Sequence, residues 1–391
     1  MKDIKTIDSL YHACTYGRAP VVFERGRGAR LWDDKGRDYI DFGSGIGVMS
    51  LGYANPEWVK AVSEQAAVLP HTSNLFYNEK TAMLAGRLAL RTHFERVFLS
   101  NSGAEANECL IKTARKWASD TKGEGEHPFV TLVNSFHGRT LTTVTATFHK
   151  FFGPFTPGFR YVPAGDLAAL ERQLDAEDCS AVLVEIVQGE GGVRALDADY
   201  LKAVEALCHE KNVLFCVDEV QTGNGRTGTW FAYEQFGLSP DLVSTAKGLG
   251  NGLPIGATLM GPKTAEVLTP GTHGSTFGGN PVACAGALSV LEQIDDAFLE
   301  AVKQKGAWLT AELEKIPGVK DVSGLGLMLG FSVEGCKSAD IKAKALDNGL
   351  VVLTAKDRVR LLPPLAITEE ELSDGLLRLA AAIREVQEAA H

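Results

Sequence analysis

The sequence contains no stretch close to the roughly 20 consecutive apolar residues that a membrane-spanning helix needs. Residues 1–8 are mixed in charge and lack the apolar core of a signal peptide. Basic residues are also scarce: 39 Lys and Arg against 49 Asp and Glu give a formal net charge of -10, which leaves no basic face for a nucleic-acid backbone. These absences predict a cytoplasmic protein that binds neither membranes nor nucleic acid.

The sequence also lacks the spacings of cysteine and histidine that are typical of disulfide frameworks and metal sites. The seven cysteines form no CxxC pair, and several lie inside apolar runs such as Leu214–Val217. That setting is typical of free, buried cysteines in a reducing compartment. None of the nine histidines belongs to an HxxxH pair or lies at ligand spacing from a cysteine. We therefore expect neither a disulfide framework nor a metal site.

What the sequence does contain is a long alternation of helical segments and short apolar strands, from about Pro56 to Asn280. The strands are continuously apolar, as in a parallel sheet that is buried on both faces. The predicted fold class is therefore α/β, with a mostly parallel sheet flanked by helices. Five strands stand out: Val97–Leu99, Phe129–Val133, Ala181–Val187, Val213–Val217 and Leu242–Thr245.

The two ends of the chain predict a second, smaller unit. Short alternating segments between Val21 and Phe42 indicate a small antiparallel sheet. Near the other end, Thr368–Glu371 has capping-box spacing ahead of an apolar helical period. A chain of 391 residues is long enough for two domains. We expect a large domain at 51–282, a smaller α+β domain at 283–391, and an N-terminal segment, 1–50, that packs with the smaller domain.

A polar or glycine-rich loop follows each of the five strands. Because the carboxyl ends of parallel strands meet at one edge of the sheet, where ligands bind, we expect these loops to converge on a single site. In chain order they are Ser100–Asn107, Asn134–Thr140, Gln188–Gly192, Asp218–Gly223 and Lys247–Gly250.

Lys247 follows an apolar strand and precedes the residues Gly-Leu-Gly-Asn-Gly. Most lysines are solvated charges. At the mouth of a buried strand, however, a lysine loses hydration, which lowers its pKa and yields the neutral amine that attacks carbonyls. The setting therefore favours a lysine that forms Schiff bases.

Three further residues suit a phosphorylated aromatic ligand, although each has an alternative reading. Ser102 opens a helical segment whose free N–H groups suit a phosphate, but taken alone it reads as a helix cap. Asp218 ends a buried strand and needs a partner such as a protonated pyridine nitrogen, unless it is only a turn residue. Phe136 suits a ring stacked on a flat ligand, unless it belongs to the core.

Two arginines are candidates for binding a substrate carboxylate. Arg139 lies in a polar strand-end loop, and Arg360 lies in the apolar, proline-bounded segment 358–365. Arg358, in the same segment, is predicted to be exposed.

The segment Gly223–Gly228 satisfies the GxGxxG spacing of dinucleotide-binding loops. In that fingerprint the first glycine lies directly against the strand, and here residues 218–222 intervene. The dinucleotide interpretation is therefore disfavoured.

These residues together resemble the class III, or ω-amino, family of pyridoxal-phosphate aminotransferases, and most closely its acetylornithine aminotransferases. The resemblance covers nearly the whole chain. It implies the type I fold of pyridoxal-phosphate transferases, with a sheet of the seven-stranded type, and pyridoxal 5'-phosphate as the cofactor. The motifs that carry it are Ser73–Asn78, Asn101–Asn107, Phe136–Thr140, Glu185–Glu190, Asp218–Gly223, Lys247, Thr276–Pro281 and Arg360–Pro364.

The resemblance also implies roles around the cofactor. Lys247 would hold the cofactor as a Schiff base and carry the proton during catalysis, and Asp218 would keep the pyridine nitrogen protonated. Val220 and Phe136 would sandwich the ring, and Gln221 would meet its phenolic oxygen. The other expected contacts are Ser102, Gly103, Ala104 and Glu219, with Thr276 of the partner subunit. Such a shared site implies an obligate homodimer.

For the substrates, the resemblance implies that Arg139 binds a carboxylate, while Glu190 pairs with Arg360 or releases it for 2-oxoglutarate. Ser275 would contact the amino donor, and Tyr16 would lie near the pocket mouth. Free-ornithine transaminases often carry a tyrosine where this chain has Ile46, which disfavours free ornithine.

The activity implied is a transamination, in which the ω-amino group of N2-acetyl-L-ornithine passes to 2-oxoglutarate. The products are N-acetyl-glutamate 5-semialdehyde and L-glutamate, in a step of arginine biosynthesis. Alternative donors are succinyldiaminopimelate, 4-aminobutyrate and ornithine. A decarboxylase or aminomutase on the same fold, a dehydrogenase that uses Gly223–Gly228, and a catalytically silent binding protein are less favoured.

Overall fold

The computed structural model describes residues 3–174 and 178–389. Its strands are β1 Phe23–Arg27, β2 Arg30–Asp33, β3 Asp38–Asp41, β4 Arg96–Ser100, β5 Phe129–Leu132, β6 Phe159–Val162, β7 Ala181–Val184, β8 Val187–Gln188, β9 Arg194–Ala195, β10 Leu214–Asp218, β11 Leu242–Thr245, β12 Gly256–Met260, β13 Val319–Leu325, β14 Met328–Val333, β15 Leu350–Val351, β16 Leu353–Ala355 and β17 Arg358–Leu361. Its helices are α1 Ile4–Tyr11, α2 Ser44–Gly47, α3 Pro56–Val68, α4 Glu79–Thr92, α5 Gly103–Lys122, α6 Leu141–Thr147, α7 Leu167–Leu174, α8 Ala198–Glu210, α9 Pro281–Gln293, α10 Asp296–Leu313, α11 Ser338–Asp347 and α12 Glu369–Ala389.

A seven-stranded sheet in the order β4-β12-β11-β10-β7-β5-β6 forms the centre of the molecule. The pairings from β11 to β6 are parallel, and β12 runs antiparallel to both of its neighbours. Strands such as β10 are buried at every position, because helices cover both faces of a sheet of this kind. The predicted α/β class with a mostly parallel sheet is confirmed. Strands β6 and β12 were not among the five predicted ones.

Two smaller four-stranded sheets lie outside this centre, in the orders β1-β2-β3-β15 and β13-β14-β17-β16. In the first, the antiparallel N-terminal strands are completed by β15, where Ile40 pairs with Leu350. This pairing supports the expected packing of the N-terminal segment with the C-terminal region. The domain boundaries after residues 50 and 282 stay a prediction.

The last helix, α12, begins as its capping box predicts. The hydroxyl of Thr368 accepts from the N–H of Glu371 at 3.1 Å, and the Glu371 carboxylate accepts from the N–H of Thr368 at 3.1 Å. Leu372, Leu379 and Ile383 are buried, so the apolar side of the helix packs on the core.

The seven cysteines are all free. Five of them are buried, as predicted, whereas Cys336 is half-buried and Cys14 is exposed. None of the helices in the described ranges has both the length and the apolar character that crossing a membrane requires.

Candidate active site

A cavity of about 430 Å³ opens at the carboxyl-terminal edge of the central sheet. The loops after β4, β5, β10 and β11 all line it, as the polar strand-end loops predict. The fifth loop, Gln188–Gly192, does not line the cavity, but Glu185 just after β7 does. The predicted site residues that line it are Ser102, Gly103, Ala104, Phe136, Arg139, Asp218, Val220, Gln221 and Lys247.

Lys247 is half-buried in the cavity wall. Burial lowers the pKa of its amine, and this effect outweighs the opposing attraction of Asp218 and Glu190. The backbone of Lys247 has φ 46°, in the left-handed region that costs energy for a residue with a side chain. A strained backbone and a lowered pKa are the properties expected of a lysine that forms Schiff bases, and this role of Lys247 stays a prediction.

The carboxylate of Asp218 is held by three donors within a buried region. Its Oδ2 accepts from Asn107 Nδ2 at 2.8 Å and lies 2.7 Å from His137 Nδ1, while its Oδ1 accepts from the N–H of Val220 at 2.9 Å. Ser244 donates to Asn107 Oδ1 at 2.6 Å, which fixes the amide. These bonds hold the Asp218 carboxyl group in one orientation at the cavity wall, where it can accept from a cationic group of a ligand.

Two more titratable groups interact with Asp218. Burial lowers the pKa of His137, but the hydrogen bond and charge of Asp218 outweigh burial, so that the net shift is upward. Burial raises the pKa of Glu185 to about 7, against the opposing effect of His137. One Glu185 oxygen accepts from the N–H of Phe136 at 2.9 Å, and this bond fixes the backbone that carries the predicted stacking ring.

The start of α5 also lines the cavity. Ser102 caps the helix, since its hydroxyl accepts from the N–H of Glu105 at 3.2 Å. The first N–H groups of a helix have no acceptor within it, so those of Gly103 and Ala104 are available to an anion. A side chain at position 103 would come within 2.6 Å of Val220, so glycine is needed here.

These features fit the cofactor that the sequence predicts. An anion site at a helix N-terminus, a buried carboxylate and an amine with a lowered pKa line one cavity, as a phosphate, a pyridinium and an aldehyde require. The predicted roles of the individual residues stay predictions.

Arg360 and Glu190 form an ion pair beside the cavity rather than in its wall. Arg360 Nη1 lies 2.5 Å from Glu190 Oε1 and 3.3 Å from Gln221 Oε1. Arg360 is 3% exposed, while the glutamate side chain is 36% exposed. Arg139 lines the cavity itself, with its guanidinium 5.3 Å from the centre of the Phe136 ring.

The prediction that Arg358 is exposed is wrong. Arg358 is 1% exposed, because its guanidinium donates to the backbone carbonyls of Asp321 and Gly330. Buried arginines are rare unless their N–H groups find such acceptors.

Four other predicted residues do not line the cavity. Glu219 points elsewhere, since its carboxylate accepts from Thr222 at 2.5 Å and from the N–H of Tyr233 at 2.9 Å. Ser275 and Thr276 line neighbouring cavities, and Tyr16 is 70% exposed.

Sequence reasoning missed Asn107, His137, Glu185 and Ser244. Two of them carried a signal: Glu185 is a charged residue inside the apolar run Ala181–Val187, and His137 follows Phe136 directly. Asn107 and Ser244 carried none, because their roles arise from a contact between α5 and β11.

Comparisons with known proteins agree with this geometry. A family model described as aminotransferase class-III matches residues 11–383. The acetylornithine aminotransferase of Haemophilus ducreyi is 49% identical over 388 residues, which cover 98% of this chain and 99% of that protein.

Solved structures of such enzymes are also similar. The N-acetylornithine aminotransferase of Stenotrophomonas maltophilia is 39% identical, with a TM-score of 0.87, and the match covers 98% of this chain and 99% of that one. The ornithine aminotransferase of Toxoplasma gondii is 36% identical, with a TM-score of 0.94, over 98% of this chain and 95% of the other. The predicted type I fold is therefore confirmed.

Proposed function

Because this chain belongs to the class-III aminotransferases, which depend on pyridoxal 5'-phosphate, we propose that it moves the ω-amino group of N2-acetyl-L-ornithine to 2-oxoglutarate. The products are N-acetyl-glutamate 5-semialdehyde and L-glutamate. The observation that carries this proposal is the cavity in which Lys247 and Asp218 lie with the N-terminus of α5. The cofactor supplies an electron sink for the substrate carbanion when it is bound.

The residues of the chain would hold and position the reacting groups. The N–H groups of Gly103 and Ala104 would bind the phosphate, and Asp218 would hold the pyridine nitrogen as a cation. Lys247 would accept and return the proton at its Nζ atom. Phe136 and Val220 both line the cavity, which supports their role on the faces of the ring. Gln221 would reach the phenolic oxygen through its amide nitrogen, since its Oε1 accepts from Arg360.

Two separate guanidinium groups support a substrate that carries carboxylates. Arg139 faces the cavity and is available to the carboxylate of either substrate. Arg360 is neutralised by Glu190 and would be released to bind the second carboxylate of 2-oxoglutarate. Such a pair lets one site take an amino donor and a dicarboxylate in turn.

A homodimer with shared active sites is part of the proposal. The segment Leu75–Tyr77 exposes three large apolar side chains, with 88%, 70% and 106% relative exposure in chain order. Monomeric proteins rarely expose large contiguous apolar patches. The neighbouring Asn74 donates to the carbonyl of Ser275 at 3.0 Å, so a second copy seated on this patch would also meet Ser275 and Thr276. Thr276 of the partner subunit would then complete the phosphate site, as the family resemblance implies.

Free ornithine is the second candidate donor, because the structural likeness to an ornithine aminotransferase reaches a TM-score of 0.94. A cytoplasmic location is proposed as well, since buried free cysteines suit a reducing compartment.

A donor panel tests the proposal. With 2-oxoglutarate as acceptor, we expect kcat/KM for N2-acetyl-L-ornithine to exceed that for ornithine, succinyldiaminopimelate and 4-aminobutyrate. Glutamate release is the measured signal, and omission of 2-oxoglutarate is the control. A higher kcat/KM for another donor would replace acetylornithine in the proposal, and carbon dioxide release without a keto acid would indicate a decarboxylase.

A further inference from the structure

The segment Gly223–Gly228 has a glycine pattern that the proposed function leaves unexplained. It opens no long helix, since it leads into a short 3-10 turn at Ala232–Phe236, so it lacks the helix N-terminus on which a dinucleotide pyrophosphate binds. The segment contains one side-chain amide, that of Asn224, and one charged side chain, that of Arg226. Asn224 is 1% exposed and Arg226 is 2% exposed. The segment therefore acts through contacts inside the protein.

Asn224 holds the backbone just before Lys247. Its Nδ2 donates to Thr245 Oγ1 at 2.9 Å and to the carbonyl of Ala246 at 3.0 Å. Because the carbonyl of Ala246 can only accept a hydrogen bond, the side-chain nitrogen of Asn224, and not its oxygen, must face it. Among the described residues, Asn224 Oδ1 has no hydrogen-bond partner, and a buried polar atom is left unpaired only at a cost. The orientation of the amide is thus fixed by the strand end that precedes Lys247.

Lys247 needs such support because its backbone is strained. Its φ of 46° lies in the left-handed region, and a conformation of this kind persists only when the surrounding structure holds it. Gly248 is confined on two sides: a Cβ there would collide with Ser50 Oγ and would lie 3.4 Å from Asn224 Cβ. Asn224 therefore hydrogen-bonds the two residues before Lys247 and lies close to the residue after it.

The other end of the segment reaches the region of Arg360. Arg226 Nη1 donates to the carbonyls of Pro363 at 2.5 Å and of Leu327 at 3.0 Å. Its own carbonyl accepts from the N–H of Leu327 at 3.0 Å. Pro363 follows β17, the strand that carries Arg360. Asn224 and Arg226 thus tie the loop of Lys247 to the strand of Arg360.

We propose that Asn224 is a positioning residue for Lys247, because its amide fixes the strained backbone that presents the lysine amine to Asp218. The proposal rests on the proposed function, since it takes Lys247 as the residue that binds the cofactor. The turn that carries Asn224 requires glycine on both sides: Gly225 has φ 88°, and a Cβ at Gly223 would lie 2.7 Å from the carbonyl oxygen of Glu219.

Two substitutions remove the amide donor in different ways. Asn224→Asp keeps the shape of the side chain without its N–H groups, and Asn224→Gly keeps the φ of 57° at no steric cost. The matched control is Thr264→Val, which removes a buried hydroxyl that donates to the carbonyls of Asp241 and Gly261 away from the cavity.

The first readout needs no substrate. In the enzyme loaded with pyridoxal 5'-phosphate, the absorbance of the Lys247 Schiff base is titrated against pH, and the fraction of cofactor that borohydride fixes to Lys247 is counted. Both Asn224 variants should shift the titration midpoint and lower the fixed fraction relative to wild type. Thr264→Val should change neither. This readout stays informative even if acetylornithine is not the donor.

The second readout is the division of the effect between kcat and KM. Because the reacting amine is displaced while the substrate-binding arginines stay in place, kcat should fall about tenfold or more and KM should change less than about twofold. The proposal is overturned if both Asn224 variants keep the wild-type titration curve and kcat. It is equally overturned if Thr264→Val reproduces their changes, since the effect would then be a general loosening of the fold.

Discussion

His137 Nδ1 lies 2.7 Å from Asp218 Oδ2, and the histidine is only 2% exposed. Asn107 donates to the same oxygen at 2.8 Å, whereas within residues 3–174 and 178–389 Asp218 Oδ1 accepts only from the N–H of Val220. A carboxylate oxygen accepts about two hydrogen bonds. Oδ1 is therefore the oxygen with capacity left for a ligand in the cavity, and His137 helps to keep the carboxylate turned that way.

Replacing His137 with leucine should lower kcat roughly tenfold or more, because a hydrogen bond to a charged group contributes about 1.5–3 kcal/mol. Asparagine at this position can place an N–H near the former Nδ1 and should restore most of the activity. Steady-state kinetics of the two variants provide the measurement. Equal kcat values for His137→Leu and wild type would show that Asn107 and Val220 suffice to hold Asp218.

Replacing Arg360 with methionine should affect one half-reaction more than the other. The acceptor 2-oxoglutarate loses a charge-assisted hydrogen bond, so its KM should rise about tenfold or more. The donor half-reaction should change less, because Arg360 is then paired with Glu190. Single-turnover rates measured separately with donor and acceptor test this difference. Equal losses in both half-reactions would contradict the assignment of Arg360 to the acceptor.

Replacing Lys247 with alanine should abolish turnover, because no other amine is assigned to the cofactor. The absorbance of the Schiff base should disappear too, while the cofactor can still bind through Asp218 and the start of α5. Turnover by this variant above the rate in free solution would remove Lys247 from its central role.

Glu219 should make the stability of the protein depend on pH. Burial raises its pKa from 4.5 to about 7, so the folded state holds a proton that the unfolded state releases at lower pH. The stabilisation that protonated Glu219 gives the folded state is complete below pH 4.5. It is lost as the pH rises through about 7, and above that pH the free energy of unfolding no longer changes because of this group. The total loss is on the order of 3 kcal/mol.

Glutamine mimics the protonated acid at this position, since it can accept from the N–H of Tyr233 and donate to Thr222. Urea unfolding of wild type and Glu219→Gln, at about pH 5 and about pH 8.5, tests the prediction. The variant should lose less stability than wild type between the two values. Parallel behaviour of the two proteins would show that Glu219 is ionised in the folded state.

The strands that the sequence revealed are those with continuous apolar runs, such as β10. Two strands of the central sheet lack that signal and were missed for different reasons. β6 contains Arg160 and Tyr161 and lies at the sheet edge, where half-buried residues are allowed. β12 begins with Gly256-Ala-Thr258 and is buried by its neighbours rather than by bulky side chains of its own.

The site residues also divide into those that a local sequence pattern reveals and those that it does not. Residues next to one another in a strand-end loop, such as Phe136 and Arg139, could be found because the loop is visible in the sequence. The contact of Asn107 with Asp218 joins positions far apart in the chain, and no local pattern encodes it. Arg358 was misjudged for the same reason, because the carbonyls that receive its N–H groups belong to β13 and β14.

The pairing of Ile40 with Leu350 has a consequence for biosynthesis. During translation β3 emerges long before β15, the strand that covers its edge. An uncovered edge strand is a template for pairing with other chains. A chaperone that binds nascent chains would therefore find a target at the N-terminal sheet until β15 has been synthesised and has paired with β3.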